Sequence, residues 1–143
     1  MSSIRAVRGA FFDFVEDAFF EEEQQCVRYL QDGLLVVNES GHIVAFDHYE
    51  ALASQYGNVA TEVYRDRLIT PGFIDTHIHF PQTGMMAAYG EQLLEWLNKY
   101  TFPTESKFRD KDYAREIADI FLNELLRNGT TTALVFAAVF PQS

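Results

Sequence analysis

The sequence predicts an α/β protein in two parts. Residues 1–67 read as a small, mostly antiparallel β unit, and residues 68–143 as strand and helix in alternation, the order of a parallel sheet or barrel. Three observations lead there. Short apolar runs punctuated by Gly, Asn and acidic turns fill the front of the chain. Near residue 68 the pattern changes to strand–helix–strand. An extended apolar run then ends in His77-Ile78-His79, at the strand end where parallel barrels carry their functional groups.

Taken in order, residues 4–14 alternate closely enough to form a strand. The acidic clusters Glu16-Asp17 and Glu21-Glu22-Glu23 follow and read as a solvated loop or helix face without chemistry. Residues 33–37 and 42–46 are two further strands, joined by Asn38-Glu39-Ser40-Gly41, a tight hairpin loop. A short helix over 49–56 and a strand over 61–65 complete the front unit. Leu68-Ile69-Thr70 and Gly72-Phe73-Ile74 favour extended backbone, interrupted by Pro71. Residues 92–100 carry apolar side chains at helical spacing, and Pro103 interrupts them. A longer helix opens at Asp110 and runs to about Arg127, with Tyr113, Ile117, Ile120, Phe121 and Leu125 as its apolar stripe. Glu124 narrows that stripe near its end. The acidic start and the Arg127-Asn128-Gly129 finish suit the helix dipole and a glycine cap. Residues 130–136 are a buried-type strand.

Composition bounds the function. Of 143 residues, 48% are hydrophobic and 15% aromatic, enough apolar material for a core. A formal charge of −10 argues against nucleic acid and anionic membranes as partners. The single Cys26 excludes an intrachain disulfide framework and fits a reducing compartment. Residues 1–5 lack the apolar run of a signal peptide, and no stretch has the length of a membrane span. A soluble, cytoplasmic protein is expected.

The chemistry concentrates at the histidine pair. In an extended chain, residues two apart share a face, so His77 and His79 project together while Ile78 points into packing. Imidazole nitrogens ligate zinc and several other divalent metals. Asp75 lies on the same parity and is placed to bind metal or to orient an imidazole. The same spacing also occurs on the polar face of an ordinary strand. His42 and His48 precede the pair, and neither His nor Cys follows His79, so further nitrogen ligands must come from outside these residues. A closed (β/α)8 barrel takes about 250 residues, far more than follow Leu68. The chain therefore reads as the front of a metal-dependent hydrolase, with an incomplete barrel and active site.

Pro71-Gly72-Phe73-Ile74-Asp75-Thr76-His77-Ile78-His79 resembles the first-strand signature of the amidohydrolase superfamily. The unit before it resembles the first half of that superfamily's small composite β domain. Pro81-Gln82, Tyr89-Gly90-Glu91-Gln92-Leu93-Leu94-Glu95-Trp96-Leu97, Tyr100-Thr101-Phe102-Pro103-Thr104-Glu105 and Asn128-Gly129-Thr130-Thr131-Thr132 resemble the guanine deaminases within it. The resemblance runs over essentially the whole chain and matches only the front portion of such enzymes.

It implies the start of an amidohydrolase-type (β/α)8 barrel and one Zn2+ per subunit, with His77 and His79 as two of its ligands. It further implies hydrolysis of guanine to xanthine and ammonia, with the other ligands and the proton-shuttling glutamate outside these residues. Gln82 would read the purine edge, since an amide offers both donor and acceptor; otherwise it is a surface-loop glutamine. Trp96 would wall the purine pocket, or else belong to the core. Family members are commonly homodimers. Phe140 departs from the pattern, since a polar residue, often histidine, is expected near that strand end. Two other readings stand beside this one: a sibling amidohydrolase acting on a triazine or adenosine-like ring, and a non-catalytic interaction module.

Overall fold

The computed structural model describes residues 4–90 and 92–143. The chain divides into two units, Met1–Pro71 and Gly72–Ser143.

In the first unit four strands form one sheet: β1 (Arg5–Phe14), β2 (Val27–Val37), β3 (Ile43–His48) and β4 (Thr61–Ile69), in the order β3-β2-β1-β4. The first three pair antiparallel, whereas β4 lies parallel to β1. β2 begins six residues earlier than the strand expected at 33–37. Opposite charges facing each other across the two strands, one pair directly and one diagonally, explain the extension. Arg28 stands opposite Asp13, and its Nε donates to Asp13 Oδ1 at 2.9 Å. Farther along, Arg8 Nε donates to Asp32 Oδ1 at 2.7 Å. Such cross-strand pairs hold register as hydrophobic alternation does. Glu16, Asp17, Glu21 and Glu22 are exposed at the β1–β2 connection, with α1 (Glu23–Cys26) as a single turn.

The expected hairpin loop forms between β2 and β3. Gly41 takes a φ of +79°, and Asn38 Oδ1 accepts from the backbone N–H of Ser40 and of His42, both at 3.0 Å. Helix α2 (Tyr49–Tyr56) covers one sheet face. Its Tyr49, Leu52 and Tyr56 pack on buried Ala6, Leu34 and Val36. Leu68 and Ile69 close β4, so Pro71 separates two strands of different sheets.

In the second unit β5 (Phe73–His79) and β6 (Thr130–Phe136) pair in parallel. Between them lie a tight turn (Phe80–Met85), α3 (Leu93–Trp96), a widened turn (Leu97–Thr101), α4 (Phe102–Glu105), a second tight turn (Ser106–Arg109) and α5 (Lys111–Arg127). The helix expected over 92–100 is thus shorter and runs into a π turn. Pro103 accounts for this. Its nitrogen has no hydrogen for the carbonyl one turn back, so the chain widens, and Pro103 falls in the first turn of α4, where proline is tolerated.

Helix α5 starts where expected. Asp110 Oδ1 accepts from the N–H of Asp112 (2.8 Å) and of Tyr113 (3.2 Å), an N-cap. Gly129 ends the helix at φ +83°. Its buried face centres on Phe121, flanked by Ala114, Ile117, Ala118 and Leu125, against Phe80 and Phe108. Ile120, expected in that stripe, is instead 45% exposed. At about 100° per residue it stands roughly 100° from Phe121, beyond the edge of the face. Among the described residues, no helix is long and apolar enough to cross a membrane.

Candidate functional site

Strand β5 sorts its side chains as the extended period demands. Ile78 packs against the Phe80–Phe108–Phe121 cluster under α5. His77 and His79 point the other way, with Nε2 of one 3.2 Å from Nε2 of the other. The neighbouring strand adds a wall. Phe136 stands opposite His79 in the β5–β6 ladder. Its ring lies 4.7 Å from the His77 ring and 4.9 Å from the His79 ring between centroids, nearly parallel to His79. That contact limits rotation of both imidazoles.

The spacing suits one metal ion. Two nitrogens bound to a tetrahedral zinc at about 2.0–2.1 Å stand roughly 3.3 Å apart. The same separation also serves an N–H···N hydrogen bond between differently protonated rings. Among the described residues, no third His, Cys, Asp or Glu gathers with them to complete a cluster. Asp75, placed by parity for metal or imidazole, directs Oδ1 to the backbone N–H of His77 at 3.0 Å. The bond secures the strand end just before the histidine and leaves the ring untouched.

The turn after β5 brings in the next residue. Phe80 and Pro81 are buried, and Thr83 Oγ1 donates to the Phe80 carbonyl at 2.7 Å, closing the turn. Gln82, half-buried, is thereby held over a cavity of about 480 Å³. His77, His79, Gln82 and Trp96 all line it, with Met86 and Glu124. All four residues singled out in the sequence therefore share one concave surface, of a size suited to a small molecule. Trp96 reaches it from the end of α3, half-buried. On the loop at the rim, Ala87 adopts φ +61°, a strained conformation for a residue with a Cβ.

Two participants escaped sequence reasoning. Glu105, on α4, accepts a hydrogen bond from Gln82 Nε2 at 3.3 Å across 23 residues of chain. Phe136 shields the imidazoles. Both contacts depend on tertiary placement, and a local pattern carries no signal for either. Phe140 lies four residues past β6 and packs against the apolar cluster under α5, with the Arg109 guanidinium 5.3 Å from its ring centre. It thus has a packing role here.

The sequence pattern described as the amidohydrolase family matches residues 68–141, which hold the β5–β6 pair, α5 and the whole cavity. The chain belongs to the amidohydrolase family. Within that family it is 50% identical over 143 residues to the guanine deaminase of Escherichia coli, covering 99% of this chain and 32% of that one. A crystal structure of guanine deaminase from Bradyrhizobium japonicum superposes with a TM-score of 0.91 at 46% identity, over 98% of this chain and 30% of that one. A guanine deaminase from C. acetobutylicum with guanine bound in its active site gives a TM-score of 0.76 at 28% identity, over 94% of this chain and 30% of that one. The chain spans about a third of the length of these amidohydrolase relatives.

Proposed function

We propose that this chain is the N-terminal part of a zinc-dependent guanine deaminase, which hydrolyses guanine to xanthine and ammonia. Residues 1–67 would be the first part of a small β domain and residues 68–143 the first βα units of a (β/α)8 barrel. The observation that carries the reading is the 3.2 Å approach of the two imidazoles at the end of β5, in a chain half identical to the Escherichia coli enzyme.

His77 and His79 would hold the metal through Nε2. Bound there, zinc supplies Lewis acidity that brings the pKa of water at the site towards neutrality. Phe136 keeps both imidazoles turned to one point and gives the ligand pair an apolar flank. Gln82 binds and orients the purine edge through its amide, and Trp96 walls the ring and excludes water from that side. The remaining ligands and the glutamate that moves the proton to the departing amine come from the length of the relatives that these 143 residues do not span. On this reading the 143-residue chain is inactive alone.

The test is metal content and turnover of the full-length protein. His77→Ala and His79→Ala should each lose bound zinc and lower ammonia release from guanine by about a thousandfold or more. Retention of both zinc and turnover in either variant contradicts the assignment.

A further inference from the structure

Gln82 is held from behind. Its Nε2 lies 3.3 Å from Glu105 Oε1, while the same side chain borders the cavity that His77, His79 and Trp96 line. Glu105 itself is half-buried and does not line that cavity. A glutamine amide alone can turn over, presenting either its N–H2 or its carbonyl oxygen to a ligand. An ionised carboxylate only accepts. Turning the Gln82 amide would set its carbonyl oxygen against a carboxylate oxygen, two acceptors face to face, and would break a charge-assisted bond. Only one orientation survives.

We infer that Glu105 is a positioning residue that fixes the Gln82 amide, so that the Gln82 carbonyl oxygen is presented to the substrate as a hydrogen-bond acceptor. This rests on the proposed guanine deaminase reading of the site. The fixed carbonyl oxygen of Gln82 then favours a ring edge bearing N–H. The placement of Glu105 follows from the chain between the two residues. Pro103 lies in the first turn of α4 after the widened turn, and Ser106 Oγ donates to the Pro103 carbonyl at 2.8 Å, so Glu105 is delivered on a short, braced turn.

The experiment is a double-mutant cycle on the zinc-loaded, full-length protein with guanine as substrate. Glu105→Ala should raise KM about tenfold, the loss of one oriented hydrogen bond, with kcat and zinc content little changed. In a Gln82→Ala background, Glu105→Ala should change nothing further, because Glu105 acts only through that amide. Glu105→Gln keeps an acceptor oxygen without the charge, and its KM should fall between wild type and Glu105→Ala. Losses that multiply in the double variant overturn the inference, as does a fall in kcat or zinc at unchanged KM. Wild-type protein that binds zinc yet releases no ammonia from guanine overturns the reading of the site, and this inference with it.

Discussion

The sheet of the first unit and the β5 end of the second treat their polar side chains in opposite ways. In the first, charges close on one another. Arg8 grips Asp32 with two bonds of 2.7 and 2.6 Å, and its guanidinium rests 3.3 Å from the centre of the Tyr49 ring. Arg28 grips Asp13 and lies 4.3 Å from the Phe46 ring centre. At the end of β5 and in the turn after it, in the second unit, polar atoms stay open. The imidazoles of His77 and His79 have each other and a phenyl wall, and Gln82 is bonded on one side only, to Glu105. Closed pairs keep strands in register. Open lone pairs around a cavity can bind something else. The contrast separates scaffold from chemistry within 143 residues.

The contrast can be broken most forcefully at its support. Phe108 is fully buried, with its ring 5.0 Å from that of Phe80 and 5.2 Å from that of Tyr113. Phe108→Ala should cost about 3–5 kcal/mol in urea unfolding. A loss under about 1 kcal/mol would mean that the cluster beneath β5 does not hold the site. Gln82→Ala, measured by steady-state kinetics on the full-length protein, should raise the guanine KM about tenfold and spare zinc. Unchanged catalytic efficiency would remove Gln82 from the site. Asp110→Ala removes the cap of α5 and should lower stability by about 1 kcal/mol without changing KM.

The smallest effect belongs to the closed pairs. Asp32→Asn should destabilise by at most about 1 kcal/mol, because both partners are substantially exposed. Its pH dependence has a definite sign. The hydrogen bonds from Arg8 hold the Asp32 carboxyl below its ordinary value. The pair's contribution is therefore complete above about pH 4 and is lost as pH falls through the lower, folded value. Stability curves of wild type and Asp32→Asn should converge in acid. A difference that grows below pH 4 would contradict this.

Much of this was legible because the deciding forces were local. Strand β1, the Asn38–Gly41 hairpin loop, the Asp110 cap and the Gly129 end each follow from residues a few positions apart. The shared face of His77 and His79 follows from strand period alone. The first half of β2 was hidden because its register depends on Arg28 meeting Asp13 and Asp32 meeting Arg8, partners 15 and 24 residues away. Ile120 was misplaced because two alanines, Ala114 and Ala118, share the buried face, and small residues weigh little in an apolar stripe. The π turn ahead of Pro103 came from what proline cannot donate, whereas the spacing of apolar residues showed a plain helix. Glu105 stood in the sequence only as the end of the Tyr100–Glu105 block, since its role exists only once α4 is set beside the turn after β5.

The most direct measurement follows zinc-dependent ammonia release from guanine, with the 143-residue chain and its full-length parent side by side. The account predicts release by the parent and none by the 143 residues alone. Zinc-dependent turnover by the 143 residues would contradict it, since the site would then be complete without further ligands. A zinc-loaded parent that leaves guanine intact would contradict the choice of substrate.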